Sequence, residues 1–147
     1  MLESVTVNRI MPLPVAQVWA AIAQIDGLER WFPVIAACRV DGSGVGAIRI
    51  LTLAAGGDMR DRIELIDHEC RRFRYERIES PFPVSQYLGT VDVGVADNGG
   101  SVVNWTVEIE VAEAQAKELT AFLRQALTDG VAGLERDLLA THLREGL

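Results

Sequence analysis

The spacing of apolar residues changes twice along the chain, and each change marks a change of element. LESVTVNRIM, residues 2–11, alternates well enough to predict a strand, and Pro12 and Pro14 end it, because proline fixes φ and removes a backbone donor. Pro14 is placed as the first residue of a helix. From there Val15, Val18, Trp19, Ile22 and Ile25 recur at helical spacing; the helix stops near Asp26-Gly27, and a short helical piece, LERWF, runs to Pro33. VIAACRV and VGAIRILTL then alternate about a DGSG turn. DMRDRIELID and RRFRYERI follow the small-residue loop AAGG (54–57), and VSQYLGTVDVGVA pairs with SVVNWTVEIEV through DNGG. From Ala114 the helical period returns, with Leu119, Leu123, Ala126, Leu127, Leu134 and Leu138 on one face. The predicted order is strand, two helices, six strands, long helix.

Six hairpin-linked strands predict an antiparallel meander, which twists and curls, and the long amphipathic helix must cover its concave face. All 147 residues are expected to form a single domain, long enough to bury roughly two thirds of its unfolded surface. Two details do not fit a plain packed core. Gly130 falls near the centre of the helix's apolar stripe, with Gly133 nearby, where glycine costs about 1 kcal/mol relative to alanine. Either the helix packs closely on its neighbours, or side chains have been removed to leave room for a ligand. SPFPV, residues 80–84, joins two strands where a two-residue turn would suffice. Pro81 and Pro83 hold Phe82 in a stiff loop, as a cap on the core edge or as a lid.

The hairpins allow a test of register. With residues 68–70 as a three-residue loop, Arg62 faces Glu76 and Glu64 faces Arg74, two opposite-charge pairs on one side. The other side pairs Leu65 with Phe73, Ile63 with Tyr75 and Asp61 with Arg77, so an apolar face ends in an acid and an arginine. That pair is either a solvated rim contact or a polar handle, in which Arg77 offers bidentate hydrogen bonds to a ligand carboxylate, carbonyl or hydroxyl. The last hairpin carries a conflict. A two-residue Asn98-Gly99 turn sets Tyr87, Gly89 and Val91 inside with Glu110, Glu108 and Thr106, whereas alternation in WTVEIEV puts Trp105, Val107 and Ile109 inside.

The net charge of -7 weighs against nucleic acid or an anionic membrane as partner, since both select for clustered Lys and Arg. All the cations except Lys117 are arginine. Cys38 and Cys70 lack CxxC spacing, and His68 and His142 are the only histidines, so neither a clustered zinc site nor a Ser-His-Asp triad is supported. Cys38, in VIAACRV, is expected to be a buried small hydrophobe. No metal and no cofactor are expected. With no signal peptide and no apolar run near 18 residues, the expectation is a soluble cytoplasmic protein without stable membrane insertion, a monomer or a weak homodimer.

PVAQVWAAIAQIDGLERWFPVI, DRIELIDHECRRFRYERI, SPFPVSQYLGTVDV and NWTVEIEV, followed by the long helix, resemble the polyketide cyclase/dehydrase and lipid-transport branch of the START and birch-pollen-allergen (SRPBCC) superfamily. The resemblance covers nearly the whole chain. It implies an α+β helix-grip fold, a curved seven-stranded antiparallel sheet around the C-terminal helix with a deep apolar cavity between them. By similarity to plant abscisic acid receptors, AAGG takes the position of a gate loop and SPFPV that of a latch. The resemblance also places Asp61, Tyr75, Tyr87, Glu110, Phe122, Ala126 and Gly130 at cavity-lining positions. Those receptors hold the ligand carboxylate with a lysine near where this chain has Phe32, which argues against abscisic acid. Members that condense amines with aldehydes use a cavity lysine, whereas Lys117 lies near the start of the last helix. Rieske oxygenases, which share the fold, need histidine ligands for iron that this chain lacks.

The first expectation is therefore a carrier or sensor for a small, mostly apolar ligand of the polyketide, lipid or isoprenoid type. Asp61 and Arg77 would orient its polar end, Tyr75 and Tyr87 would add hydroxyls beside Ile63, and Phe82 would close the mouth. The alternative is an aromatase/cyclase-like enzyme with Asp61, Glu110 or a tyrosine as acid or base. A further alternative is a protein-interaction module with a filled cavity.

Overall fold

The computed structural model describes residues 1–145. Strand β1 (Leu2–Met11) is followed by helix α1 (Val15–Ala23) and a single 3₁₀ turn (Leu28–Arg30). Strands β2 (Ile35–Asp41), β3 (Ile48–Leu53), β4 (Asp58–Asp67), β5 (Arg72–Glu79), β6 (Val84–Val95) and β7 (Ser101–Val111) come next, and helix α2 (Glu113–Glu145) closes the chain. The sheet is antiparallel with order β1-β7-β6-β5-β4-β3-β2, a six-strand meander to which β1 adds beside β7. This is the helix-grip architecture expected from the period changes and the resemblance. Pro14 is not the first helical residue but caps the helix from an extended conformation. Among the described residues no helix is long and apolar enough to cross a membrane.

Helix α1 ends earlier than its apolar spacing predicts, at Ala23, and Ile25 turns into the left-handed region at φ 74°. A β-branched residue there is strained. Its side chain is buried nonetheless, so the core, not the helix period, decides its backbone.

The last hairpin resolves the register conflict. Val95 pairs with Ser101 and Tyr87 with Ile109, so the connection is one residue longer than the Asn-Gly pattern implies. Ala96 and Gly100 bracket it by a backbone hydrogen bond of 3.0 Å, and Gly99 takes φ 83°, the left-handed position that follows a type I turn in a three-residue loop. One residue of slip turns β7 over. Tyr87, Gly89 and Val91 therefore face inward together with Trp105, Val107 and Ile109, and both halves of the conflict are satisfied.

The β4–β5 hairpin departs differently. Asp61 pairs with Arg77, Arg62 with Glu76 and Ile63 with Tyr75 as expected, but beyond a bulge at Glu64 the pairs are Leu65 with Arg74 and Ile66 with Phe73. The loop holds four residues rather than three. Asp67 Oδ1 accepts the N–H groups of Glu69 and Cys70, and Arg71 sits at φ 56°. The extra loop residue is matched by the bulge, which leaves Leu65 only half-buried and turns Ile66 toward the core.

Helix α2 is seated by a notch. A side chain at Gly133 would overlap the backbone of Trp31, and one at Gly130 would overlap the ring of Phe32. Trp31 Nε1 donates to Asp137 Oδ2 at 2.9 Å and Arg30 Nε to the same oxygen at 3.3 Å. Phe32 then stands edge-on to Trp105 of β7, with ring centroids 5.4 Å apart. The two glycines thus let the Trp31-Phe32 segment wedge between sheet and helix. Of the two readings of Gly130, close packing is the one observed.

Candidate functional site

Three charged side chains meet inside the sheet. Register places Arg49 of β3 beside Asp61 of β4, and Asp61 beside Arg77 of β5, all on the inward face. Asp61 is fully buried, with Arg49 and Arg77 at 2% and 8% exposure. Arg49 donates from Nε and Nη2 to Asp61 Oδ2 at 3.1 and 2.9 Å, and from Nη1 to the carbonyl of the strained Ile25 at 3.0 Å. Arg77 donates from Nε to Asp61 Oδ1 at 2.8 Å and from Nη2 to Oδ2 at 3.3 Å. Its Nη1 has no acceptor among the described residues.

Aromatic faces line the same cluster. The guanidinium of Arg49 lies 4.8 Å from the ring centre of Tyr75, and that of Arg77 lies 4.2 Å from the ring centre of Tyr87, distances at which the ring quadrupole attracts a cation. Tyr75 occupies the space above Gly89, its cross-strand partner, where any side chain would collide with it. Trp105 Nε1 donates to its hydroxyl at 3.2 Å. Burial opposes ionisation of Asp61, but the two guanidiniums outweigh it and hold the carboxyl below its ordinary value. Burial likewise opposes the charge on Arg77, and Asp61 reverses the effect, so the arginine stays charged. Burial, with Tyr75 next to it, pushes the Tyr87 phenol well up and keeps it protonated.

Beside this cluster lies a narrow cavity of about 50 Å³ between the sheet and α2. Arg77, Tyr75 and Tyr87 form its polar end, and Met59, Leu53 and Trp105 continue the sheet wall. Phe122, Leu123 and Ala126 supply the helix wall, and Phe32 closes the back. At the front Phe82 meets Phe122, with ring centroids 5.4 Å apart. The turn that holds Phe82 is tight: its N–H donates to Ser80 Oγ at 3.1 Å, and its carbonyl accepts from Val84 N–H at 2.8 Å. Pro81 packs beside Gly57, so the 54–57 and 80–84 loops adjoin. Outside the two phenylalanines an open groove of about 300 Å³ runs along the start of α2, lined also by Pro83, Gln115, Glu118 and Leu119. Phe82 and Phe122 border both spaces and form the partition between them.

Of the residues singled out from the sequence, Tyr75, Arg77, Phe82, Tyr87, Phe122 and Ala126 surround this cavity. Asp61 sits behind Arg77, and Ile63 is buried in the core one step further along β4. Two placements need correction. Glu110 points out of the sheet, where its carboxylate binds the Met1 ammonium at 2.7 Å, because the three-residue loop turned β7 over. Gly130 does not open onto the cavity, because Phe32 fills its notch. Arg49 is the member that sequence reasoning missed, although it shares its parity with the buried Leu51 and Leu53 of β3 and with the buried Ala47 just before the strand. The reading of Asp61 and Arg77 as a rim contact is also overturned, since Arg49 completes a buried cluster. Cys38, expected to be buried, is only half-buried.

A curved sheet gripping one long helix, with an enclosed apolar space between them, defines a helix-grip domain. The chain matches the family described as polyketide cyclase / dehydrase and lipid transport over residues 3–138, and it belongs to that family. Among curated proteins none matches. The solved structure of the protein XoxI from Bacillus cereus superposes with a TM-score of 0.84 at 24% identity, covering 95% of this chain and 97% of that one. A solution structure from Thermobifida fusca gives 0.78 at 23% identity, covering 93% and 92%. A protein from Nitrosospira multiformis gives 0.76 at 24%, covering 92% and 96%. At these identities the likeness speaks for the fold alone.

Proposed function

We propose that the chain acts as one domain that binds a small, mostly apolar ligand of the polyketide, lipid or isoprenoid type between sheet and helix, as a carrier or sensor. The observation that carries this reading is the Phe82–Phe122 partition, with an apolar cavity and its arginine on one side and an open groove on the other. Drug-sized ligands occupy roughly 300–1,000 Å³, far more than the 50 Å³ behind the partition. Binding therefore requires the two rings to part and join cavity to groove. The stiff Pro81–Pro83 turn favours movement of the Phe82 and Phe122 side chains over movement of the loop.

The family description also supports a cyclase or dehydrase. One that used a cavity carboxylate as acid or base is disfavoured, because no Asp or Glu among the described residues lines the cavity and Asp61 is held ionised by two arginines. The small volume behind the partition is what a filled-cavity interaction module would show. Native mass spectrometry of the purified protein, with identification of anything released on denaturation, separates these readings. A co-purifying apolar molecule, lost from Phe122→Trp, is the expected result. A protein that arrives empty, and takes up neither polyketides nor fatty acids even as Phe82→Ala, would leave the interaction module standing.

A further inference from the structure

The charges inside the sheet do not balance. Arg49 and Arg77 share the single carboxylate of Asp61, and among the described residues neither arginine forms an ion pair with a second acid. Two guanidiniums against one carboxylate leave one positive charge in a nearly waterless place, an arrangement that is costly unless it is answered. The two arginines are not equivalent in this respect. Arg49 has all three nitrogens engaged, by Asp61 and the Ile25 carbonyl. Arg77 presents only one edge, Nε and Nη2, to Asp61. A guanidinium carries five N–H donors in a fixed fork, so the pair of Nη groups at its end remains for a planar acceptor. Arg77 is more than nine-tenths buried, and it lines the cavity.

We infer that the ligand of this cavity is a monoanion, an apolar molecule whose carboxylate enters first and takes the free Nη edge of Arg77. This assignment rests on the apolar-ligand reading and narrows it. Asp61 and Arg49 are positioning residues here: Asp61 aims Arg77, and Arg49 keeps Asp61 ionised and anchored to the turn after α1. The two ends of the path differ in charge. Glu118 borders the outer groove and repels an anionic head from resting there, whereas Arg77 attracts it, so the bound head lies at Arg77 and the apolar tail lies between Phe82 and Phe122.

Matched pairs that differ only at the polar end test this: decanoate against decan-1-ol, and 2-naphthoate against 2-naphthylmethanol, titrated calorimetrically into the full chain at pH 7.5. The acid of each pair is expected to bind about 10- to 100-fold more tightly, the value of a charge-assisted hydrogen-bonded contact. Arg77→Gln is expected to erase the difference between acid and alcohol. Equal binding of acid and alcohol to the unaltered protein would overturn the anionic assignment and leave the apolar-ligand reading intact. If neither member of either pair binds, both fall together. An acid preference that survives in Arg77→Gln would overturn the role given to Arg77. The unaltered protein decides the charge question without the variant, so a folding defect in Arg77→Gln cannot obscure it.

Discussion

The interior between sheet and α2 has two halves that look alike in sequence and differ in structure. Toward the C-terminal part of α2, Gly130 and Gly133 remove side chains, and the Trp31-Phe32 segment fills the space down to its last contact. Toward its N-terminal part, Ala126 and Phe122 face Tyr87 and Phe82, and a cavity remains. The half with the smallest residues is the filled one. A missing side chain makes a cavity only if no neighbour moves into it, and the wedge before β2 is placed to do so. The other half stays open because no neighbouring segment enters the space in front of Arg77, between Tyr87 and Phe122.

The largest test of this contrast is Asp61→Asn. It leaves Arg49 and Arg77 buried without a counter-ion and should cost about 3–5 kcal/mol, read by urea unfolding at pH 7. The same residue sets a pH dependence. Its folded pKa is depressed, so its contribution is complete above the unfolded carboxylate value, about 3.9, and is lost as pH falls below that through the folded value. The acid-side fall in stability should therefore be shallower in Asp61→Asn; an unchanged slope would mean that the cluster does not carry it.

Gly130→Ala tests the filled half. The new methyl must displace the Phe32 ring, which is backed by Trp105, and overpacking of this kind costs about 1–3 kcal/mol, more than the roughly 1 kcal/mol gained in helix propensity. Adding Phe32→Leu should return part of the loss, a coupling that a double-mutant cycle measures. If Gly130→Ala is neutral, the notch is looser than its contacts indicate.

Arg77→Gln should cost clearly less than Asp61→Asn, about 1 kcal/mol, because the Arg49–Asp61 pair it leaves behind is neutral overall and the loss is mainly the guanidinium's stacking on Tyr87 and its hydrogen bonds to Asp61. Equal losses in the two variants would mean that burial of the pair, not charge balance, governs this end. The smallest effect belongs to Phe122→Ala. Phe122 is 40% exposed, so its removal should change stability by less than about 1 kcal/mol while speeding uptake of an apolar fluorescent probe. Unchanged uptake would remove it from the partition.

Much of this was readable in the chain. Period changes placed every strand and both helices, and opposite-charge pairing brought Asp61 to Arg77, because side-chain alternation and cross-strand contact are local properties. The inward position of Arg49 was equally available, since it shares a parity with Ala47, Leu51 and Leu53. Loop lengths were less accessible: the Asn98-Gly99 pattern fits a two- or a three-residue connection, and only the partner strand's burial chooses. The chain alone settled the seven strands, the gripping helix and the pairing of an acid with an arginine at the end of an apolar face. Only the tertiary structure decided which glycine is filled, which glutamate faces solvent and that the acid serves two arginines, because each depends on what a distant segment brings to the same place.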